Sequence, residues 1–165
     1  MKYSWIFAII GGLFFASCEG GESGTTTTPG GFEYTHHVKK GTATPQIGEY
    51  AYFHVYMRNP ETGDVTYNSR TAPQMPKVAI PDPTKAPAGQ PASPVVEALS
   101  FMSVGDSLTV FQSLDSIPRK PQGYEAAKNI AYDMVLVDIK SAEAYQEEMK
   151  AEQEKAAIDR ERLTA

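Results

Sequence analysis

Three histidines, one cysteine and several tyrosines are the side chains of this sequence best suited to bind a metal ion or take part in catalysis. The histidines are His36, His37 and His54. His36 and His37 are adjacent in a segment that alternates like a strand, so their side chains point to opposite faces and cannot chelate one ion together. His54 has no Cys, Asp or Glu at the spacing that metal ligation requires. The sequence therefore predicts no metal site.

Covalent catalysis and cofactor binding find no support in the spacing of the polar residues. No nucleophile is accompanied by a recognisable base and orienting group, and there is no glycine-rich phosphate loop. The glycine pairs all lie before Phe32, in the N-terminal part of the chain. We therefore expect neither an ordinary hydrolase or transferase mechanism nor a bound cofactor.

The N-terminal segment is typical of an export signal. Lys2 provides a positive charge, residues 5–15 are apolar, and two small residues come directly before Cys18. Cys18 is the only cysteine, so the chain has no disulfide framework. The pattern resembles the lipobox of bacterial lipoproteins, in which this cysteine is acylated, although Phe15 stands where that motif usually has leucine. Ordinary cleavage that leaves a free thiol is the alternative.

Composition allows one globular domain with polar ends. The chain has 165 residues, of which 41% are hydrophobic and 21% charged, and this suffices for a modest core. A formal net charge of −5 argues against nucleic-acid binding, which requires clustered Lys and Arg. Residues 1–17 are the expected signal peptide, and the Gly- and Thr-rich residues 18–31 predict a flexible tether.

The C-terminal residues 141–165 predict a polar helix. They contain neither Gly nor Pro, and Ser141 is a candidate N-cap. Apolar positions are sparse, so no heptad seam is sustained and we expect the tail to add little to domain stability. The tail is either a solvated helix that extends past the domain or a helix for dimerisation or spacing. The sequence leaves the oligomeric state open.

Short strands and proline-rich connections alternate between the tether and the tail. Ser93 and Pro94 predict the start of a short amphipathic helix over residues 94–102, and Gly105-Asp106 predicts a turn after it. Strand patterns cover residues 32–40, 50–58, 64–69, 77–80, 107–111 and 129–140. We expect an α+β fold, in which an antiparallel sheet of five or six strands curls around the short helix and a polar C-terminal helix follows.

The order and spacing of these segments resemble the FKBP-type peptidyl-prolyl cis-trans isomerases. The segment MSVGDSLTVF, residues 102–111, is similar to that family's helix end, Met-x-Val-Gly turn and following strand. Residues 129–140, NIAYDMVLVDIK, resemble its closing strand, and residues 31–58 resemble its opening strands. Tyr67-Asn68-Ser69 stands where the family has Phe-Asp-Ser. The resemblance implies an FKBP-like domain over residues 32–140.

Isomerase chemistry, which the resemblance implies, needs neither nucleophile nor metal. Rotation about the amide bond before proline has a barrier of roughly 18–20 kcal/mol, because resonance makes the bond partly double. An apolar pocket with a few aimed hydrogen bonds stabilises the twisted amide relative to the planar one. By the resemblance, Tyr67, Asn68 and Tyr132 are the candidate catalytic residues of this pocket. Plain core packing is the alternative for the two tyrosines.

Departures from the family's pattern predict weak or lost catalysis. Asn68 replaces the pocket aspartate, Val55 replaces a second-strand tyrosine, and Val95 stands where the pocket floor has tryptophan. The family's Ala-Tyr-Gly element is missing, and Tyr124 is the candidate substitute. The candidate substrate-binding positions are Val55, Val95, Val96, Leu99 and Tyr124.

The resemblance implies an isomerase-like lipoprotein of the cell envelope. It would act on proline-containing segments of exported proteins, and acyl chains on Cys18 would hold it on a membrane surface. Two alternatives remain open. One is a non-catalytic module that binds proline peptides or acts as a chaperone, and the other is a structural spacer that assembles through its tail helix.

Overall fold

The computed structural model describes residues 26–85, 93–115, 117 and 119–164. The expected signal peptide, Cys18 and the first part of the expected tether lie outside the described residues, as do residues 86–92 of the proline-rich connection. Among the helices that are described, none is both long enough and apolar enough to cross a membrane.

Seven strands, all paired antiparallel, form one sheet in the described part of the chain. Across the sheet their order is β1-β2-β6-β7-β3-β4, and β5 pairs with the first half of β3. The strands are β1 (Thr26–Thr27), β2 (Glu33–Val38), β3 (Tyr50–Arg58), β4 (Val65–Asn68), β5 (Lys77–Ala79), β6 (Ser107–Ser113) and β7 (Asn129–Lys140). With the two helices described below, this confirms the expected α+β architecture.

Strand β1 extends the domain into the segment expected to be a tether. It pairs with the start of β2. Thr28 is buried, and its hydroxyl accepts a hydrogen bond from the Phe32 N–H at 3.1 Å. Gly31 closes the connection with a φ of 84°, which glycine adopts without strain. The unpaired edge of β2 offers backbone partners, and threonine is well suited to a strand, so pairing outweighs the polar composition here.

Helix α1 (Pro94–Phe101) begins where its capping signals predict. The Ser93 Oγ accepts a hydrogen bond from the Val96 N–H at 3.5 Å, and Pro94 occupies the first helical position. Leu99 is fully buried against the sheet. We call the sheet face that packs against α1 the inner face, and the opposite one the outer face.

The main core lies between α1 and the inner face. Alternation along the strands places every second residue there. Its members are Ala51, Phe53, Val55, Ile80, Ala98, Leu99, Met102, Leu108, Val110, Met134 and Leu136. A second, smaller cluster lies where β6 ends and β7 begins. It consists of Leu114, Tyr124, Ala127 and Ile130.

A buried carboxylate holds the turn between α1 and β6. Gly105 has a φ of 87°, a conformation that other residues rarely adopt. Asp106 is fully buried and accepts hydrogen bonds from the N–H groups of Ser103 at 2.9 Å and Lys40 at 2.6 Å. Burial opposes ionisation of Asp106, but these backbone donors outweigh it and lower its pKa. Asp106 therefore ties the end of α1 to the loop after β2.

Helix α2 (Ala142–Thr164) packs its base against the outer face and projects beyond it. The Ser141 Oγ caps the helix by accepting the Ala144 N–H at 3.2 Å, as predicted. The Tyr145 ring stacks on Tyr50 of β3. Residues 150–163 are exposed along their whole length. The tail is thus docked at its start and solvated after it.

Glu148 anchors the base of α2 through charge-assisted hydrogen bonds. Its carboxylate accepts the Tyr52 hydroxyl at 2.9 Å and pairs with Lys77 at 3.2 Å and with Lys140. The hydrogen bond from Lys140 and those from Tyr52 and Lys77 outweigh burial and lower the pKa of Glu148 to about 2. The expectation of little stabilisation rested on the few apolar positions of the tail. Polar and aromatic contacts dock the tail instead. We call Glu148, Tyr52, Lys77 and Lys140 the tail clamp.

Candidate functional site

A single row of side chains crosses the inner face on five strands. The strand registers align Tyr34 of β2, Val110 of β6, Tyr132 of β7, Met57 of β3 and Tyr67 of β4. Directly paired residues of antiparallel strands project from the same face. All five side chains therefore lie on the inner face, and we call them the inner row.

The inner row passes from the core to solvent. Val110 is fully buried, whereas Tyr34, Met57 and Tyr132 are half-buried and Tyr67 is 41% exposed. Every member is aromatic or apolar. The row thus presents an accessible apolar surface whose outer end is a tyrosine on an edge strand.

Tyr132 lies at the centre of the row and packs against both core clusters. Its hydroxyl donates a hydrogen bond to the Gln112 Oε1 at 2.8 Å. Burial, followed by the neighbouring phenol of Tyr124, raises the pKa of Tyr132, so the ring stays neutral at physiological pH. The structure therefore brings Tyr132 and Tyr67 onto one surface, where Tyr132 is a fixed aromatic wall.

Asn68 is directed away from this surface. Its Oδ1 accepts the Arg70 N–H at 2.9 Å and caps the short 3₁₀ helix Ser69–Thr71. Its strand partner is Tyr56, which alternates to the outer face of β3. Asn68 thus acts as a local cap, and its amide does not join Tyr67 and Tyr132.

Two of the candidate substrate-binding residues are buried in the main core. Leu99 has no exposed surface, and Val55 is 7% exposed within the main core. Both therefore offer a ligand little or no surface. Val95 is half-buried and packs against the rim of the same core, so it retains an accessible side.

Tyr124 supports the site from the second cluster. Its side chain is 1% exposed, and its hydroxyl is hydrogen-bonded to the Thr66 Oγ1 at 2.7 Å. Met57 and Tyr132 pack against the cluster that contains it. Tyr124 is therefore a buried structural residue whose cluster packs against Met57 and Tyr132 of the inner row.

Val96 lies apart from Val95, although the two are adjacent in the chain. It lines a cavity of about 520 Å³ together with Pro29, Ile47 and Ile80. Successive helical residues point about 100° apart, so the two valines face different surroundings. A second cavity, of about 400 Å³, lies elsewhere, beside the tail clamp.

Three site residues escaped the sequence reasoning: Tyr34, Met57 and Gln112. The alternation of β2 indicated a half-buried face, but only the register across β6 and β7 aligns Tyr34 with Tyr132. The predicted strand at 107–111 stopped short of Gln112, whereas β6 continues to Ser113. The polar pair Gln-Ser carried no strand signal of its own.

The two adjacent histidines lie on opposite faces of β2. His36 is on the inner face, with its ring 5.6 Å from Tyr34 and 6.1 Å from Phe101. Its buried Nε2 has no hydrogen-bond partner in the part of the chain that the structure describes. Burial lowers the pKa of His36, although Asp106 opposes this. His37 is hydrogen-bonded to the Thr109 Oγ1 at 2.7 Å. Within the described ranges, no three His, Cys, Asp or Glu side chains are grouped closely enough to hold a metal ion.

Comparison with known proteins gives a match at the level of structure. No protein-family model and no curated protein matches the sequence. FkpA from Escherichia coli has a TM-score of 0.52 and 16% identity over 73% of this chain and 54% of its own. A peptidyl-prolyl cis-trans isomerase from Pseudomonas syringae pv. tomato str. DC3000 has a TM-score of 0.51 and 13% identity, over 72% and 82% of the two chains.

The chain has an FKBP-like fold. At these identities the likeness shows the fold alone, and the chain spans about half the length of FkpA. The resemblance of the sequence segments is thereby confirmed as a resemblance of fold. The FKBP-like domain contains α1 on its inner face, and the inner row lies on that same face.

Proposed function

We propose that this chain is an FKBP-type protein that binds proline-containing peptides and isomerises them slowly or not at all. The observation that carries the proposal is the inner row, which places Tyr132, Met57 and Tyr67 side by side on an accessible face. Ligand sites are typically concave and mostly apolar, with a few convergent polar groups. An aromatic surface of this kind suits the apolar ring of proline.

Weak turnover follows from the polar groups around the row. Stabilising a twisted amide depends on donors and charges that are already aimed at it. Asn68, which stands where the family has an aspartate, directs its side-chain oxygen to the Arg70 N–H instead. The inner row itself contains no ionised side chain. Burial against aromatic walls is retained, and this favours binding over catalysis.

We further propose that the protein works at a membrane surface of the cell envelope. The support is the export-type segment that ends in the single Cys18, which resembles a lipobox. Acyl chains at this position would anchor the domain and bring it close to exported polypeptides. Proline-containing segments of such polypeptides are the proposed partners.

A binding and isomerisation assay tests the proposal. We would measure the affinity for acetyl-Ala-Ala-Pro-Phe-amide, and the rate of its cis-trans exchange by NMR, for the wild type, Tyr132→Ala and Tyr67→Ala. Tyr56→Ala is the matched control, because Tyr56 is a half-buried tyrosine of the outer face, next to Met57 on β3.

We expect weak binding by the wild type, about tenfold weaker binding by both inner-row variants, and no change in Tyr56→Ala. Tyr67→Ala keeps the test valid if Tyr132→Ala does not fold, since Tyr67 is 41% exposed. Absence of binding by the wild type would refute the proposed function. Rapid catalysis would refute only the argument for weak turnover.

The exposed tail supports a second candidate function, a structural spacer that assembles through α2. Residues 150–163 project from the domain with every side chain exposed. Sedimentation of the full chain and of a variant that ends at Met149 distinguishes the two. Self-association that disappears with the truncation would favour the spacer, and identical monomeric behaviour would exclude it.

A further inference from the structure

Gln112 stands at the edge of the inner row. It lies two residues beyond Val110 on β6 and pairs with Ile130 of β7, which is buried in the second core cluster. By strand alternation its side chain belongs to the inner face. Gln112 is half-buried, so part of its side chain is accessible.

The amide of Gln112 is fixed by one of its two ends. Its Oε1 accepts the hydroxyl of Tyr132 at 2.8 Å. The Nε2 atom is bonded to the same carbon as Oε1, so this nitrogen is held next to the oxygen that accepts the Tyr132 hydroxyl. Among the described residues, none accepts a hydrogen bond from this nitrogen. A donor group is thus held beside Tyr132 without a partner among the described residues.

The hydroxyls of Tyr132 and Tyr124 and the side-chain oxygen of Asn68 are already engaged. The Tyr132 hydroxyl uses its single proton on Gln112, and the Tyr124 hydroxyl is bonded to Thr66. Asn68 caps the 3₁₀ helix after β4. Gln112 keeps the donors of its side-chain nitrogen without a partner among the described residues, directly beside Tyr132.

A peptide segment around proline has an excess of hydrogen-bond acceptors. Proline has no backbone N–H, while its own carbonyl and the preceding one both accept. A protein that buries such a segment must offer a donor, because an unpaired carbonyl costs free energy when it leaves water. The free donors of Gln112 match this requirement.

We infer that Gln112 Nε2 donates a hydrogen bond to a main-chain carbonyl oxygen next to the bound proline. The inference rests on the proposed function, since it assumes that the inner row receives the proline ring. It makes Gln112 a ligand-binding residue for the peptide main chain.

NMR of the 15N-labelled full-length protein in detergent micelles tests the inference. The side-chain amide signals of Gln112, assigned by their loss in Gln112→Glu, are followed during titration with acetyl-Ala-Ala-Pro-Phe-amide. Gln112→Glu keeps an acceptor for the Tyr132 hydroxyl and removes both donors. Gln153→Glu on the exposed tail is the matched control for the added charge.

We expect the Gln112 side-chain signals to shift with the peptide, and Gln112→Glu to bind roughly fivefold more weakly than the wild type. Gln153→Glu should bind like the wild type. If the wild type binds the peptide, the Gln112 side-chain signals do not shift, and Gln112→Glu binds with the affinity of the wild type, the inference is wrong and the proposed function stands. If the wild type does not bind, both are wrong.

Discussion

Tyr50 on β3 and Tyr145 on α2 stack with their ring centroids 3.7 Å apart and their planes 12° from parallel. Tyr145 is in the first turns of the tail, so this contact sets the direction in which α2 leaves the sheet. The same placement brings Glu148 over Lys77 and Lys140. The base of the tail is therefore part of the folded domain.

The tail clamp should make stability depend on pH. The pKa of Glu148 is lowered from 4.5 to about 2, so its ionised form favours the folded state. This stabilisation is complete above pH 4.5 and is lost as the pH falls towards 2. Glu148→Gln should lower the melting temperature by roughly 3 °C at pH 7 and by progressively less below pH 4.5. Glu147→Gln, at an exposed neighbour, is the control, and an equal loss in both variants would contradict the clamp.

Two truncations should separate the docked base of the tail from its solvated end. A chain that ends at Met149 retains Tyr145 and Glu148, so we expect a melting temperature within about 2 °C of the full chain. A chain that ends at Ser141 loses the stack and the clamp, and should melt at least about 5 °C lower. Calorimetry of both chains provides the measurement. Equal melting temperatures would mean that the docking contributes nothing.

Replacement of the buried Asp106 should be costly. Asp106→Ala leaves the N–H groups of Ser103 and Lys40 without an acceptor, so we expect the free energy of unfolding to fall by about 2–4 kcal/mol. Asp106→Asn keeps one acceptor oxygen and should cost less. Urea denaturation measures both, with Asp115→Ala, an exposed aspartate just after β6, as the control. A loss in Asp106→Ala no larger than in the control would show that other groups satisfy these donors.

Cys18 should determine how the protein is held in the cell. If it is acylated, the mature chain begins at Cys18, and Cys18→Ser should yield an unprocessed or soluble form. Membrane fractionation and mass spectrometry of the N-terminal peptide provide the measurement. A wild-type protein that is wholly soluble and carries an unmodified thiol would rule out the lipid anchor.

Local patterns in the sequence were sufficient to predict the elements of the fold. Ser93 and Pro94 begin α1, and strand patterns marked each strand from β2 to β7, because capping and strand patterns depend on residues close together in the chain. The order of the segments resembled the FKBP-type isomerases, and the structure has that fold. Strand β1 was missed, because its composition is that of a linker and only the open edge of β2 makes it a strand.

The site and the docking of the tail depended on contacts between distant parts of the chain. Tyr34 and Tyr67 join Tyr132 in one row only through strand register, which side-chain packing sets across the sheet. Asn68 and Tyr124 occupy positions that the sequence assigned to a pocket, yet nearby hydrogen-bond partners direct them to a cap and a buried cluster. Such competition between partners for one side chain is decided in three dimensions, because the competing groups come together only when the chain has folded.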